Sequence, residues 1–391
     1  MRIRYLVMLV TTLGLAVTVP SAPGAAADTG QPHPLVGMHA EAMHAPWRVP
    51  GDDGRDHLAY QLEVTNLMAV PAALTAVSVR DEQGRQLQFR TGDDLAMRVQ
   101  DLGSGVITAE IAPSASAVVL MDVPIAPDRD VSAIRTSVGY SVAQGHALPH
   151  IVERIGLDWT TVSALTPIST TPLPVLVPPV RGTDWVNSNA FGDPLTGHSG
   201  ARMTKGTRLH ANEAFAIDFI QLIDGASHTG DGTANEDYYA WGEPVVSSTA
   251  GTVISVRDGM PAIPPGAFPE DLTSIDQAGG NSVVVKAADD VYLLYGHLQA
   301  GSIPVKPGDR VKVGQRLGLL GNSGNSTGTH LHFQVSNGPD VMNADSIPFV
   351  FDAFTRTATI TVDAAGGPVL TQQTKRFTDV YPTTLSILSF D

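Results

Sequence analysis

Gly321-Asn-Ser-Gly-Asn-Ser-Thr-Gly-Thr-His330-Leu331-His332-Phe333 is a polar, glycine-rich turn that runs directly into an alternating segment. In a strand, side chains two residues apart share a face, so the pattern puts His330 and His332 together and turns Leu331 and Phe333 into a core. Two imidazoles side by side on a rigid strand suit zinc chemistry: one nitrogen can bind the metal while the neighbour handles the proton of an activated water.

Working outward, the same periodicity recurs through the second half of the chain. Residues 214–222 read as a strand with Asp218 set between apolar neighbours. Residues 242–256, 281–286, 291–298 and 305–320 read as strands and hairpins, with Tyr295-Gly-His297-Leu on one of them. No helical period appears, so this half is expected to be mostly antiparallel β. Zinc in a hydrolase takes three protein ligands from His and carboxylate and keeps one position for water. Asp218, His297, His330 and His332 are the residues for such a centre. A lone His or Asp is most often structural, but this set on three separate strands is far less expected by accident.

At this point the chain resembles a known family. Ala216-Ile-Asp218-Phe, Gly242-Glu-Pro-Val with Ala250-Gly-Thr-Val, Tyr295-Gly-His297-Leu, Val305-Lys-Pro-Gly-Asp-Arg, Gly321-Asn-Ser-Gly and His330-Leu-His-Phe333 are similar to the motifs of lysostaphin-type (LytM-like) zinc metalloendopeptidases, relatives of the peptidoglycan DD-endopeptidases. The Val-Lys-Pro-Gly-Asp-Arg hairpin alone also fits a lipoyl-like carrier, a fold with no use for His-Leu-His. The resemblance implies zinc on Asp218 and His332, with His297 and His330 as the unligated pair beside it; His330 is assigned the base and His297 the orienting or oxyanion role. It also implies that the substrate is a peptide bond of cell-wall peptidoglycan, cut by metal-activated water. The sequence departs from the family at the first ligand, since the commonest pattern has a histidine four residues before the aspartate and that position here is Ala214. His198, in Thr196-Gly-His-Ser-Gly, and His210 are the replacements. Eight extended residues span about 26 Å, so His210 needs a chain reversal to reach Asp218's metal, whereas His198 lies on a Gly-rich loop able to fold back. The stretch resembles a branch of the family with a loop histidine about this far ahead of the aspartate strand. His198 is therefore favoured over His210 as the first ligand, and His228 reads as a solvated loop residue.

The first half of the chain reads differently. Residues 1–27 have Arg2 and Arg4, a mostly apolar stretch from Tyr5 to Val19 and Ala25-Ala26-Ala27, the pattern of a cleaved secretory signal. Residues 28 to about 50 show no period and read as an irregular leader. From His57 onward, short alternating strands with turns between them suggest an immunoglobulin-like β-sandwich over 28–165. It could be a wall- or partner-binding module or equally a spacer or inhibitory flap. Residues 166–179 hold a cluster of prolines and read as a linker, 180–355 as the peptidase domain, and 356–391 as a β tail.

Composition narrows the possibilities further. The 391-residue chain is 43% apolar and only 6% aromatic, with 38 Gly and 28 Pro, which favours turns and short strands. It has no cysteine, which removes disulfides, a lipoprotein anchor, thiol nucleophiles and cysteine zinc sites. A net charge of −15 makes phosphate-neutralising nucleic-acid binding a poor fit, and no segment beyond the signal is apolar enough to span a bilayer. The expectation is an exported or periplasmic, nearly all-β zinc metalloendopeptidase of peptidoglycan. The alternative is an inactive member of the same fold kept for wall binding or regulation.

Overall fold

The computed structural model describes residues 35–192, 197–203, 209–363, 368–383 and 385–391. The expected signal segment lies outside them. Residues Val36–Asp391 form one compact unit, mostly β throughout.

The N-terminal part is two antiparallel sheets. In one, Met38–Ala42, Asp56–Asn66, Ser116–Ile125 and Val99–Asp101 lie in that order, with Trp47–Pro50 also paired to Asp56–Asn66. In the other the order is Thr160–Val162, Ala133–Val142, Ala72–Asp81 and Gln86–Thr91. Leu58, Tyr60, Leu62, Val64, Val119 and Val138 belong to the core shared by these strands. Met38–Ala42 and Trp47–Pro50 correct the expectation of an irregular leader. Strands of five and four residues are too short to display a period, and they are held by pairing to a long neighbour instead.

Asp56–Asn66 is buried almost without interruption from His57 to Leu62, where a half-solvated strand would alternate. The cause is that its two faces serve two cores. Leu58 and Tyr60 point into the N-terminal core, while Ala59 on the opposite face, with Val49, packs into the larger C-terminal core. The proline-rich 166–179 stretch is fixed near both ends: Thr166–Pro167 pairs with Ala133–Val142, and Val175–Leu176 pairs in parallel with Val350–Phe351.

The C-terminal part is built on a ten-stranded sheet whose paired strands are antiparallel. Its middle runs Asn281–Ala288, Val291–Leu298, Leu331–Ser336, Ile217–Gln221 and Gly182–Ser188, and Ser386–Phe390, Phe354–Val362 and Pro368–Phe377 continue it. The tail thus joins the same sheet as the histidines. Leu331–Ser336 is buried along its whole length: Leu331, Phe333 and Val335 enter the core, where Phe333 meets Phe349 edge-on at 5.2 Å, and His332, Gln334 and Ser336 occupy the other face. That polar face forms the floor of the candidate site.

Candidate metal centre

Strand register brings the first two groups together. Asp218 and His332 are direct partners across the antiparallel pair of Ile217–Gln221 and Leu331–Ser336, a relation that sets side chains on one face about 5 Å apart at Cβ. His332 is in turn opposite Gly296 on the other side. A Cβ at Gly296 would lie 3.4 Å from that of His332 and 3.2 Å from the Gly279 carbonyl, so glycine keeps the histidine's flank open. His297 follows at once, in a left-handed backbone conformation (φ 62°) with its amide bonded to the Gly279 carbonyl. His330 stands at the entrance to its strand. His198 comes from elsewhere, on the short helix Gly197–Gly200.

The ring nitrogens are tied off in a consistent way. His198 Nδ1 faces the Asn189 and Ala216 carbonyls at 3.1 and 3.3 Å, which turns Nε2 to Asp218 Oδ2 at 3.3 Å. His332 is reversed: Nε2 meets Gln334 Oε1 at 3.1 Å, and Nδ1 lies 3.2 Å from Asp218 Oδ1. His330 Nδ1 donates to the Gly328 carbonyl at 2.8 Å, leaving Nε2 3.5 Å from Asp218 Oδ1. His297 Nδ1 donates to the Ser323 carbonyl at 2.7 Å, and its ring centre is 4.6 Å from that of His330. Fixing the outer nitrogen of an imidazole sets both its orientation and which nitrogen keeps a free lone pair.

His198, Asp218 and His332 each offer a donor atom within 4.8 Å of the others, and all three are buried. Two imidazole nitrogens and a carboxylate converging in this way fit a zinc ion, with coordination room for a water. The charges agree. Burial alone would raise the Asp218 carboxyl, but the His330 and His198 imidazoles override it and hold it well below the usual carboxylate range. Burial likewise opposes a charge on His198, yet the Asp218 carboxylate outweighs it and lifts that ring to about 9. A buried anion that gathers protons is one that a cation can satisfy in their place. Burial, and then His330 and His332, push His297 well below its ordinary value, so it stays neutral.

Among the other histidines, His210 Nδ1 lies 3.2 Å from Asp345 Oδ1 and forms no part of the cluster. Its backbone exchanges two bonds with Met203, and its ring faces Asp345. His228 packs on Tyr238. Two contributors escaped the sequence reading. Gln334, at His332+2 on the same strand face, was open to the same periodicity argument. Asn189, whose Nδ2 donates to Asp218 Oδ2 at 2.7 Å, had no local signal. The cluster opens into a cleft of about 320 Å³ bordered by Ser326, Phe268 and Met342. Phe268 belongs to the loop at 260–272 and is 74% exposed. That loop is anchored where the Ile263 carbonyl accepts from Asn235 and Asn322 at 2.9 and 2.8 Å.

The chain is 36% identical over 85 residues to the peptidoglycan DD-endopeptidase ShyA of Vibrio cholerae, which covers 22% of this chain and 19% of that protein. To endolysin 2638A of Staphylococcus phage 2638A it is 42% identical over 122 residues, 30% of this chain and 21% of that one. The chain thus spans about a fifth of the length of each of these relatives. Among solved structures it is similar to the catalytic domain of the prophage-encoded M23 protein EnpA of Enterococcus faecalis, at 23% identity, 44% coverage of this chain, 92% of that one and a TM-score of 0.26. The profile of peptidase family M23 matches residues 236–344, which include His297, His330 and His332. Over those residues the chain is similar to peptidase family M23.

Proposed function

We propose that the protein is an exported zinc metalloendopeptidase that hydrolyses peptide bonds in cell-wall peptidoglycan. The observation that supports it most is the convergence of three imidazoles on one buried carboxylate, with His297 beside His330 and each ring's outer nitrogen already engaged. His198 Nε2, Asp218 and His332 Nδ1 would hold the zinc. Zinc bound there supplies the Lewis acidity that makes water nucleophilic near neutral pH and polarises a carbonyl.

The remaining work falls to the chain's own groups. His330 Nε2 is free because Nδ1 carries the proton given to Gly328, so it can take a proton from the attacking water and pass it to the leaving amine. His297, neutral and with Nδ1 donating to Ser323, presents an accepting Nε2. This suits orienting the water rather than donating to an oxyanion, the second role considered for it. The cleft between Phe268 and Met342 would take an extended peptide, and Phe268 brings the loop at 261–269 to its border, whereas the residues lining it include none of 224–239.

The relatives named peptidoglycan DD-endopeptidases make the wall peptide the first substrate to try. Among the described residues no helix is long and apolar enough to cross a membrane. The test is release of new amino termini from purified peptidoglycan by zinc-loaded protein. His330→Ala is expected to lower the rate roughly 10²–10⁴-fold while zinc content is unchanged. Absence of any released amine from the unaltered, zinc-loaded protein would overturn the reading.

A further inference from the structure

Asp218 and His332 sit on neighbouring strands that are hydrogen-bonded on both sides, so the sheet itself fixes them. His198 has no such ladder. It rides on the four-residue helix Gly197–Gly200, and residues 189–192, earlier in the chain, lie between the two cores. On the inner side they are tied to the site, Asn189 Nδ2 donating to Asp218 and the Asn189 carbonyl facing His198 Nδ1. On the outer side they meet the first N-terminal sheet. Phe191 stands edge-on to His57 with ring centres 6.3 Å apart, and a Cβ added at Gly200 would come within 3.0 Å of Gln100 Nε2. The space left between Leu120 and Asp122 of the sheet on one side and Phe191 and Ser199 on the other is only about 20 Å³.

The wall on that side is itself tied down by hydrogen bonds. His57 Nδ1 lies 2.7 Å from Asp122 Oδ1 and its Nε2 lies 3.2 Å from Asp53 Oδ1. Phe191 is held from behind as well, by Phe215 at 5.2 Å between ring centres and by its amide donating to the Tyr381 hydroxyl at 3.1 Å. A loop-borne side chain pressed from both sides loses the alternative positions that would weaken a site depending on it.

We propose that the N-terminal sheet positions the metal ligand His198, with Phe191 as the positioning residue between His57 and Asn189, whose carbonyl faces His198 Nδ1. The proposal rests on reading His198, Asp218 and His332 as the zinc site. It gives the N-terminal sheets a part in the metal centre, rather than only a targeting, spacing or covering role. Zinc affinity then depends on side chains that never touch the metal.

The test is zinc affinity of the full chain, measured by competition with a chromogenic chelator. Phe191→Ala is expected to weaken binding at least tenfold, Phe191→Leu to restore most of it, and His57→Ala to weaken it several-fold. Val138→Ala, in the N-terminal core on the other sheet, controls for general destabilisation and is expected to lower Tm with zinc affinity unchanged. Wild-type affinity in both Phe191→Ala and His57→Ala would overturn the proposal, and so would an equal loss in Val138→Ala. If the unaltered protein takes up no zinc, the metal-site reading itself falls, and this inference with it.

Discussion

A single buried carboxylate organises the site at the scale of residues. Asp218 receives Asn189 and faces His198, His330 and His332, and each imidazole is aimed by what holds its far nitrogen. Much of this was legible in the sequence, because Asp218, His297 and His-Leu-His sit in strands whose alternation can be read directly. Gln334 could have been found from the same face, but Asn189 and the Ser323 and Gly328 carbonyls are joined to the site only by the fold. The first ligand was left between His198 and His210 because chain reversal is a tertiary matter that residue spacing bounds without deciding. A second titratable group, His57, gives a test of its own. Burial works against its charge, but Asp122 and Asp53 outweigh burial and raise it from 6.5 to about 9. A raised folded-state pKa adds stability that is complete below about pH 6.5 and is lost as pH rises through about 9. The shift corresponds to about 3 kcal/mol. Denaturant midpoints measured in excess zinc, where His198 is held unprotonated, are expected to fall between those pH values in the wild type and to fall much less in His57→Gln.

Backbone proximity does as much as side-chain chemistry at the scale of elements. The turn before the histidine strand is threaded against residues 279–280. A Cβ at Gly324, where φ is 77°, would lie 2.3 Å from the Gly280 amide nitrogen, and one at Gly280, where φ is 63°, would lie 2.3 Å from the Ser323 carbonyl oxygen. That carbonyl accepts the proton of His297 Nδ1. The glycines therefore permit the packing that aims a site histidine, a stronger role than the turn formation evident from sequence. Gly324→Ala is expected to cost roughly 2–3 kcal/mol, from the left-handed backbone and the collision together. Thermal unfolding checks the cost, and a near-wild-type Tm would contradict the tight approach. Pattern reading succeeded for the long strands and failed at Met38–Ala42 and Trp47–Pro50, where pairing to Asp56–Asn66 overrides a weak local pattern.

For the whole molecule, the two cores are joined by polar as well as apolar contacts. Asp52 and Arg356 form a buried ion pair at 2.8 Å, Thr383 donates to the same carboxylate at 2.9 Å, and Tyr381 exchanges backbone bonds with Pro50 and Asp52. Removing one partner of such a pair leaves a buried charge uncompensated, so Arg356→Ala is expected to destabilise the chain by roughly 3–5 kcal/mol, read from denaturant unfolding. A change below about 1 kcal/mol would place that pair among weak surface contacts. None of these ties could be read from sequence, since Asp52 and Arg356 lie 304 residues apart in segments with no shared motif. Nor could periodicity alone show that Asp56–Asn66 serves two cores, because its uninterrupted burial comes from what packs on its second face. The account as a whole depends on the metal, and the most direct measurement is zinc content per purified chain in the wild type, His198→Ala and His210→Ala. The account predicts one zinc in the wild type, loss in His198→Ala and retention in His210→Ala; a wild type that takes up no zinc, or loss with His210→Ala instead of His198→Ala, would contradict it.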